Sequence, residues 1–183
     1  MILEETWIHG NAEVSSKYEL KSYETHLNSS GRGRGLAVFY KEEYETISDH
    51  NEENIDITKI QSEDLDVIAI YRRKEGSLSS LIEKIHNINN WSKSTLIIGD
   101  MNICNKKMKK NEFRKFLEER AFKQIINKAT HIDGGHINHA YVFNIGNFED
   151  TPEVELMPKY YSDHDAICIS WKKLDQTDAD EDL

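Results

Sequence analysis

The sequence predicts an α/β layered domain with helices lying on sheet faces, and three observations carry that expectation. Residues 65–71 and 95–98 are short, β-rich, nearly continuous apolar runs, as in strands covered on both faces. Between them Leu78, Leu81, Ile82, Ile85 and Ile88 recur at helical spacing, and Phe113, Phe116, Leu117 and Arg120 fit a second helix. Strand-like runs at 137–143 and 166–171 then follow, so strand and helix alternate before strands accumulate.

Taken in order, residues 17–24 and 36–41 read as a strand pair. The loop between them holds Gly31, Gly33 and Gly35, which give the backbone freedom for a tight reversal. The 65–71 run ends at Arg72, Arg73 and Lys74, a polar exit, and Ser77 then stands where the first helix needs an N-cap. The 95–98 run stops at Gly99 and Asp100, and Asn111 caps the second helix. With no internal repeat and no Pro/Gly/Ser linker, one domain is expected over residues 1–173. The acidic segment 174–183 has no apolar pattern and reads as a disordered tail.

A chain of 183 residues supports one domain with a real core. Two cysteines, Cys104 and Cys168, make no disulfide framework. No apolar run approaches the roughly 18 to 20 residues of a membrane span. The N-terminus lacks a basic segment followed by an apolar stretch, so an intracellular protein of the nucleus or cytoplasm is expected, with no membrane partner. The net charge of −10 argues against nonspecific coating of nucleic acid by bulk charge. Charge is nevertheless uneven. Residues 42–66 hold ten acids and one base, and residues 104–128 hold nine bases and three acids. Either run reads as a solvated face; the basic one, beginning at Lys106, is also placed to border a site at Asp100.

Three polar clusters sit where a buried-looking strand begins or ends. They are Glu5 after Ile2 and Leu3, Asp100 and Asn102 after 95–98, and Asp163 with His164 before 166–171. Loops at sheet rims are where sites are built. Carboxylates, an amide and an imidazole gathered there suit phosphoester hydrolysis. Oxygen donors hold a hard divalent cation, and a carboxylate or imidazole orients and deprotonates water. Each cluster alone also reads as a turn or cap.

With those residues in view, the chain resembles the endonuclease/exonuclease/phosphatase superfamily from Leu3 to about Trp171. Leu3 to Trp7 is similar to the family's LQETW segment, which implies that Glu5 binds metal. Residues 99–102, Gly-Asp-Met-Asn, resemble GDFN, which implies that Asp100 orients the nucleophilic water with Asn102 in support. Residues 162–167 resemble SDHxxI, which implies Asp163 at the metal and His164 binding or protonating the phosphate. Residues 68–72 resemble the strand that holds a tyrosine near the scissile phosphate, hence Tyr71. The resemblance implies a layered sandwich of two mixed β-sheets flanked by helices. It also implies a Mg²⁺- or Mn²⁺-dependent phosphodiesterase, most nearly a DNA endonuclease of retroelement type, with nucleic acid as partner.

Two departures from the family pattern bear on activity. The family has a strand before the ETW segment, ending in an Asn that helps bind metal, and this sequence has none. The family's Asp that hydrogen-bonds the catalytic His is here Asn138, with Asp133 five residues away. A carboxylate stabilises imidazolium far better than an amide, and the same exchange in a serine protease triad costs about 10⁴ in rate. Two readings follow: a metal-dependent phosphodiesterase, or a degenerate, non-catalytic relative serving as a binding module. His131, His136 and His139 invite zinc, but on a strand His136 and His139 face opposite ways. Trp7, Trp91 and Trp171 read as packing residues. Cys104 lacks the neighbours of a nucleophile.

Overall fold

The computed structural model describes residues 1–4, 20–28, 35–52, 54–103, 111–145, 148–158 and 162–173. A six-stranded sheet forms its centre, in the order β4 (Glu45–Glu52), β5 (Ile55–Gln61), β6 (Asp66–Arg72), β7 (Thr95–Asp100), β9 (Asn138–Phe143), β8 (Lys123–Gln124). Strand direction is mixed there, because β6 and β7 run parallel and every other pair is antiparallel. A parallel pair needs a crossover, and helix α1 (Leu78–Ile88) supplies it. The order β1 (Ile2–Glu4), β3 (Leu36–Tyr40), β2 (Glu24–Asn28) makes a three-stranded antiparallel sheet. The hairpin of β10 (Phe148–Met157) and β11 (Ala166–Lys173) makes a two-stranded one.

Two apolar layers hold these parts together. On one face of the large sheet, Ile55, Ile57, Ile68, Ile70 and Ile97 pack with Leu81 and Ile85 of α1 and with Phe113, Phe116 and Leu117 of helix α2 (Glu112–Glu118). On the other face, Val67, Ala69, Tyr71, Leu96, Ala140 and Val142 meet Leu36 and Val38 of β3, with Ile167, Ile169 and Trp171 of β11 at the margin. The near-continuous apolar runs of β5, β6 and β7 are thereby explained, because both of their faces are covered. Burial of a Leu or Ile side chain on such a face contributes about 1.5 to 3 kcal/mol. The caps form as the sequence implies. The Ser77 hydroxyl accepts from Ser80 N at 3.3 Å, and Asn111 Oδ1 accepts from Phe113 N at 2.8 Å.

Several expectations are revised. The first strand of the early pair lies at β2, not at 17–24. Residues 20–23 form a turn, with Tyr23 N donating to Leu20 O, and residues 17–19 lie outside the described residues. Gly31, Gly33 and the tail at 174–183 also lie outside them. The acidic run 42–66 is more than a solvated face. It makes the β4–β5 hairpin, closed through Asn54 at φ 67°, and two of its acids are buried. Asp56 accepts from Gly35 N at 3.2 Å. Asp66, fully buried, lies 2.6 Å from Lys59 Nζ and 2.9 Å from Lys93 Nζ. Period-2 reading misses β4 because its less exposed positions hold Thr46, Ser48 and His50 while Ile47 faces outward, and it misses β10 because its ten residues are rich in acids.

Asp66 neutralises two ammonium groups, one of them 4% exposed, at the bottom of the sheet. Removing the carboxylate leaves a buried cation without its counter-charge. Asp66→Ala is therefore expected to lower stability by about 3 to 5 kcal/mol. Urea denaturation monitored by circular dichroism checks it, and a loss below about 1 kcal/mol would refute it.

Candidate active site

The site forms where five strand ends meet. Because β6 and β7 are parallel, Arg72 and Asp100 finish at the same rim, and because β9 runs back, Asn138 begins there in register with Asp100. β1 ends at the same rim through Glu4, and His164 directly precedes β11.

Asp100 is 2% exposed and held from three sides. Its Oδ1 accepts from Asn102 N at 2.8 Å and its Oδ2 from Asn102 Nδ2 at 3.1 Å. Its own N–H donates to Glu4 Oε1 at 2.7 Å. This tight Asx-type turn places Asn102 at φ 49°, a conformation Asn tolerates. Asn102 Nδ2 also donates to Arg72 O at 3.0 Å. Gly99 is required by the same geometry. At φ +149°, a Cβ there would sit 1.8 Å from Ile70 O and 2.8 Å from Glu4 Oε1.

Arg72 binds backbone rather than offering its charge outward. Its guanidinium donates to Gly76 O at 3.0 Å, Met101 O at 2.6 Å and Lys74 O at 3.2 Å. Burial lowers its pKa, and the nearby Asp100 and Glu75 carboxylates oppose that shift. The loop after β7 is pinned a second time. His139 Nε2 lies 2.7 Å from Ile103 O, which only accepts, so Nε2 carries the proton. Nδ1 then accepts from Gln124 at 3.1 Å and faces the Tyr141 hydroxyl at 3.2 Å. Burial draws the His139 pKa down to about 4, so the ring is neutral near pH 7.

His164 faces this turn. Its Nδ1–H donates to Asn138 Oδ1 at 2.8 Å, which points Nε2 toward Asp100 Oδ2 at 4.0 Å and Asp163 Oδ1 at 3.9 Å. Asn138 is itself fixed, its N–H donating to Thr130 Oγ1 at 3.1 Å. The backbone around His164 is locked to the 130–132 segment. Ile132 N donates to Asp163 O at 2.8 Å, and Asp165 N donates to Thr130 O at 2.9 Å. That lock brings in His131, whose Nε2 lies 3.4 Å from Asp163 Oδ2.

Of the residues singled out from the sequence, Asp100, Asn102, Asn138, Asp163 and His164 are thus brought together. Glu5, Trp7, Cys104 and Lys106 to Lys110 lie outside the described residues. Tyr71 is in register with Asp100, is 3% exposed and belongs to the apolar layer between the sheets. The His131, His136 and His139 trio does not form, because His139 is committed to Ile103 and Gln124. Trp91 and Trp171 pack in the two apolar layers as expected. Glu4 and His131 were not anticipated at the site. For Glu4 the signal is its place at the end of the short apolar run that forms β1. For His131 only the 131–164 backbone pairing reveals it.

No protein-family model and no curated protein matches the chain. Solved structures do. An AP endonuclease from Archaeoglobus fulgidus superposes with TM-score 0.64 at 14% identity, over 93% of this chain and 87% of that one. The Haemophilus ducreyi cytolethal distending toxin superposes with TM-score 0.63 at 14% identity, over 94% and 84%. The endonuclease domain of TRAS1, a telomere-specific non-LTR retrotransposon, superposes with TM-score 0.60 at 12% identity, over 84% and 80%. An endonuclease/exonuclease/phosphatase family protein from Leptotrichia buccalis superposes with TM-score 0.53 at 12% identity, over 86% and 74%. The chain has the endonuclease/exonuclease/phosphatase fold.

The state of His139 sets a pH dependence. Its folded pKa of about 4 lies below the ordinary 6.5, so on acidification the unfolded chain takes up this proton first. Stability from this group is complete above pH 6.5 and is lost as pH falls toward 4. Between pH 7 and pH 4.5 the native chain should lose about 2 to 3 kcal/mol more than His139→Gln does. Urea titrations of both proteins at the two pH values check this, and parallel losses would contradict it.

Proposed function

We propose that the chain is a divalent-cation-dependent phosphodiester hydrolase acting on nucleic acid, with DNA favoured. The observation that carries this reading is the convergence of Asp100 and Asp163 on one atom, His164 Nε2, at 4.0 and 3.9 Å, with Asn138 behind the ring. A buried carboxylate, an exposed carboxylate and an oriented imidazole are the groups that hydrolysis of a phosphodiester uses.

The donors also fit a hard cation. Two carboxylates face one imidazole nitrogen, and oxygen donors select Mg²⁺ or Mn²⁺. Asp163 would hold the ion, with Glu5 as the second ligand implied by resemblance, and the bound ion would neutralise phosphate charge. The remaining steps fall to the chain's own groups. Asp100 accepts a proton from the attacking water, and Asn102 keeps its carboxylate aimed. His164 Nε2 donates to a phosphate oxygen, and Asn138 Oδ1 fixes the ring. This reading also keeps the expectation that the basic stretch from Lys106 to Lys128 borders the phosphate backbone, although Lys106 to Lys110 lie outside the described residues. The TRAS1 endonuclease domain and the AP endonuclease, as similar folds, support nucleic acid as the substrate class and a retroelement-type endonuclease as its finer form.

A nicking assay on supercoiled plasmid tests the reading. Cleavage is expected with Mg²⁺ or Mn²⁺, is abolished by EDTA, and falls by at least about 10²-fold in His164→Ala, the lower range for a general acid or base. Activity that survives EDTA, or an unaffected His164→Ala, would sink the proposal.

Asn138 is expected to limit the rate. In Asn138→Asp the restored carboxylate accepts from His164 Nδ1–H and stabilises imidazolium, and cleavage should rise about tenfold or more. A folded Asn138→Asp no faster than the native chain would show that the amide is an adequate orienting group. A native chain that binds plasmid but never cuts, with or without this change, would favour the degenerate binding module.

A further inference from the structure

We propose that His131 Nε2, the Asp163 carboxylate and His164 Nε2 form a site for a borderline divalent cation, zinc above all, distinct in donor set from the hard-cation site of hydrolysis. The three residues come from two segments fixed to each other by paired backbone hydrogen bonds, Ile132 N to Asp163 O at 2.8 Å and Asp165 N to Thr130 O at 2.9 Å. His131 and His164 form an isolated antiparallel bridge, and their rings stand edge to face with centroids 5.1 Å apart.

Their ligand atoms already have nearly the right spacing. Zinc bonds of about 2.0 to 2.1 Å in a tetrahedron set neighbouring ligand atoms about 3.4 Å apart. Here Asp163 Oδ2 is 3.4 Å from His131 Nε2, Asp163 Oδ1 is 3.9 Å from His164 Nε2, and the whole set lies within 4.8 Å. Both short spacings involve the Asp163 carboxylate, which is exposed. Two imidazoles and one carboxylate suit zinc or cobalt rather than magnesium, and the fourth position stays open to water or phosphate.

The surroundings favour ligation at the His164 ring. Asn138 Oδ1 takes the His164 Nδ1–H at 2.8 Å, which leaves Nε2 as the coordinating nitrogen. At His131, Nδ1 accepts from Asp133 N at 3.1 Å, and the Asp133 carboxylate lies 3.6 Å away. Ligation at Nε2 therefore requires the ring proton to leave that nitrogen, and moving it to Nδ1 costs the bond from Asp133 N, with the exposed Asp133 carboxylate near enough to take its place as partner. A zinc ion so held occupies His164 Nε2 and Asp163 together, so it excludes the phosphate contact assigned to them above and acts as an inhibitor.

Cobalt(II) titration of the metal-free full chain, followed by visible absorption, tests the site without any measurement of turnover. One equivalent is expected to bind with the intense spectrum of low coordination number, to be displaced by zinc, and to resist an equal concentration of magnesium. His131→Phe, which preserves a ring against His164, should weaken cobalt binding at least about tenfold, the smaller loss that even outer-shell changes cause. In the native chain, saturating zinc should protect His131 and His164 from diethyl pyrocarbonate, read by peptide mass spectrometry, and this arm stands even where a variant fails to fold. Unchanged cobalt affinity in folded His131→Phe, no saturable binding, or unprotected histidines would overturn the proposal. A cobalt site intact in a chain that never nicks DNA would sink the hydrolase reading alone.

Discussion

The close approach of the Ile70 backbone and the Glu4 carboxylate to Gly99 is the constraint on which the site depends. Ile70 O of the parallel neighbour and the Glu4 carboxylate occupy the space a side chain at position 99 would need. Only with that space free do β6 and β7 stay in register to the rim, so that Asp100 emerges opposite Asn138 with its N–H on Glu4. The turn that follows, closed by Asn102, buries a carboxylate and still aims it at His164. A glycine is thus the condition for a reactive acid at a strand end.

Around that point the protein uses rigidity from several directions. Arg72 ties three carbonyls of the loops after β6 and β7, and His139 ties a fourth, Ile103. Both are charged or titratable types spent on backbone, buried where nothing else would satisfy those oxygens. The effect is to hold Asn102 and Asp100 between two fixed flanks. The facing side is built the same way, with Thr130 receiving Asn138 N at its hydroxyl and Asp165 N at its carbonyl. Groups held within narrow limits by such supports need little reorganisation when charge develops.

Asn138 has a double character. It performs the orienting half of what a carboxylate does, accepting the Nδ1 proton at 2.8 Å, and omits the electrostatic half. An imidazole held at Nδ1 by a neutral amide presents Nε2 outward. That arrangement suits ligation of a metal at least as well as proton donation, and it joins the hydrolytic reading to the cation site at His131, Asp163 and His164.

The sequence by itself determined the alternation of elements and both helix caps, because local periodicity and cap chemistry are properties of neighbouring residues, and the resemblance of its short motifs pointed to Asp100 and Asn102 sharing a site with Asp163 and His164. It also led to Asn138 as the residue behind the histidine. It did not determine β4, where Ile47 faces outward, nor β10, which is rich in acids, nor the burial of Asp66, which depends on Lys59 and Lys93 arriving from elsewhere in the chain. The tertiary structure alone decided that Glu4 reaches Asp100 across 96 residues, that Tyr71 turns into the core, and that His131 meets His164. Those are long-range contacts set by strand register, and a one-residue slip in any strand would send each side chain to the opposite face.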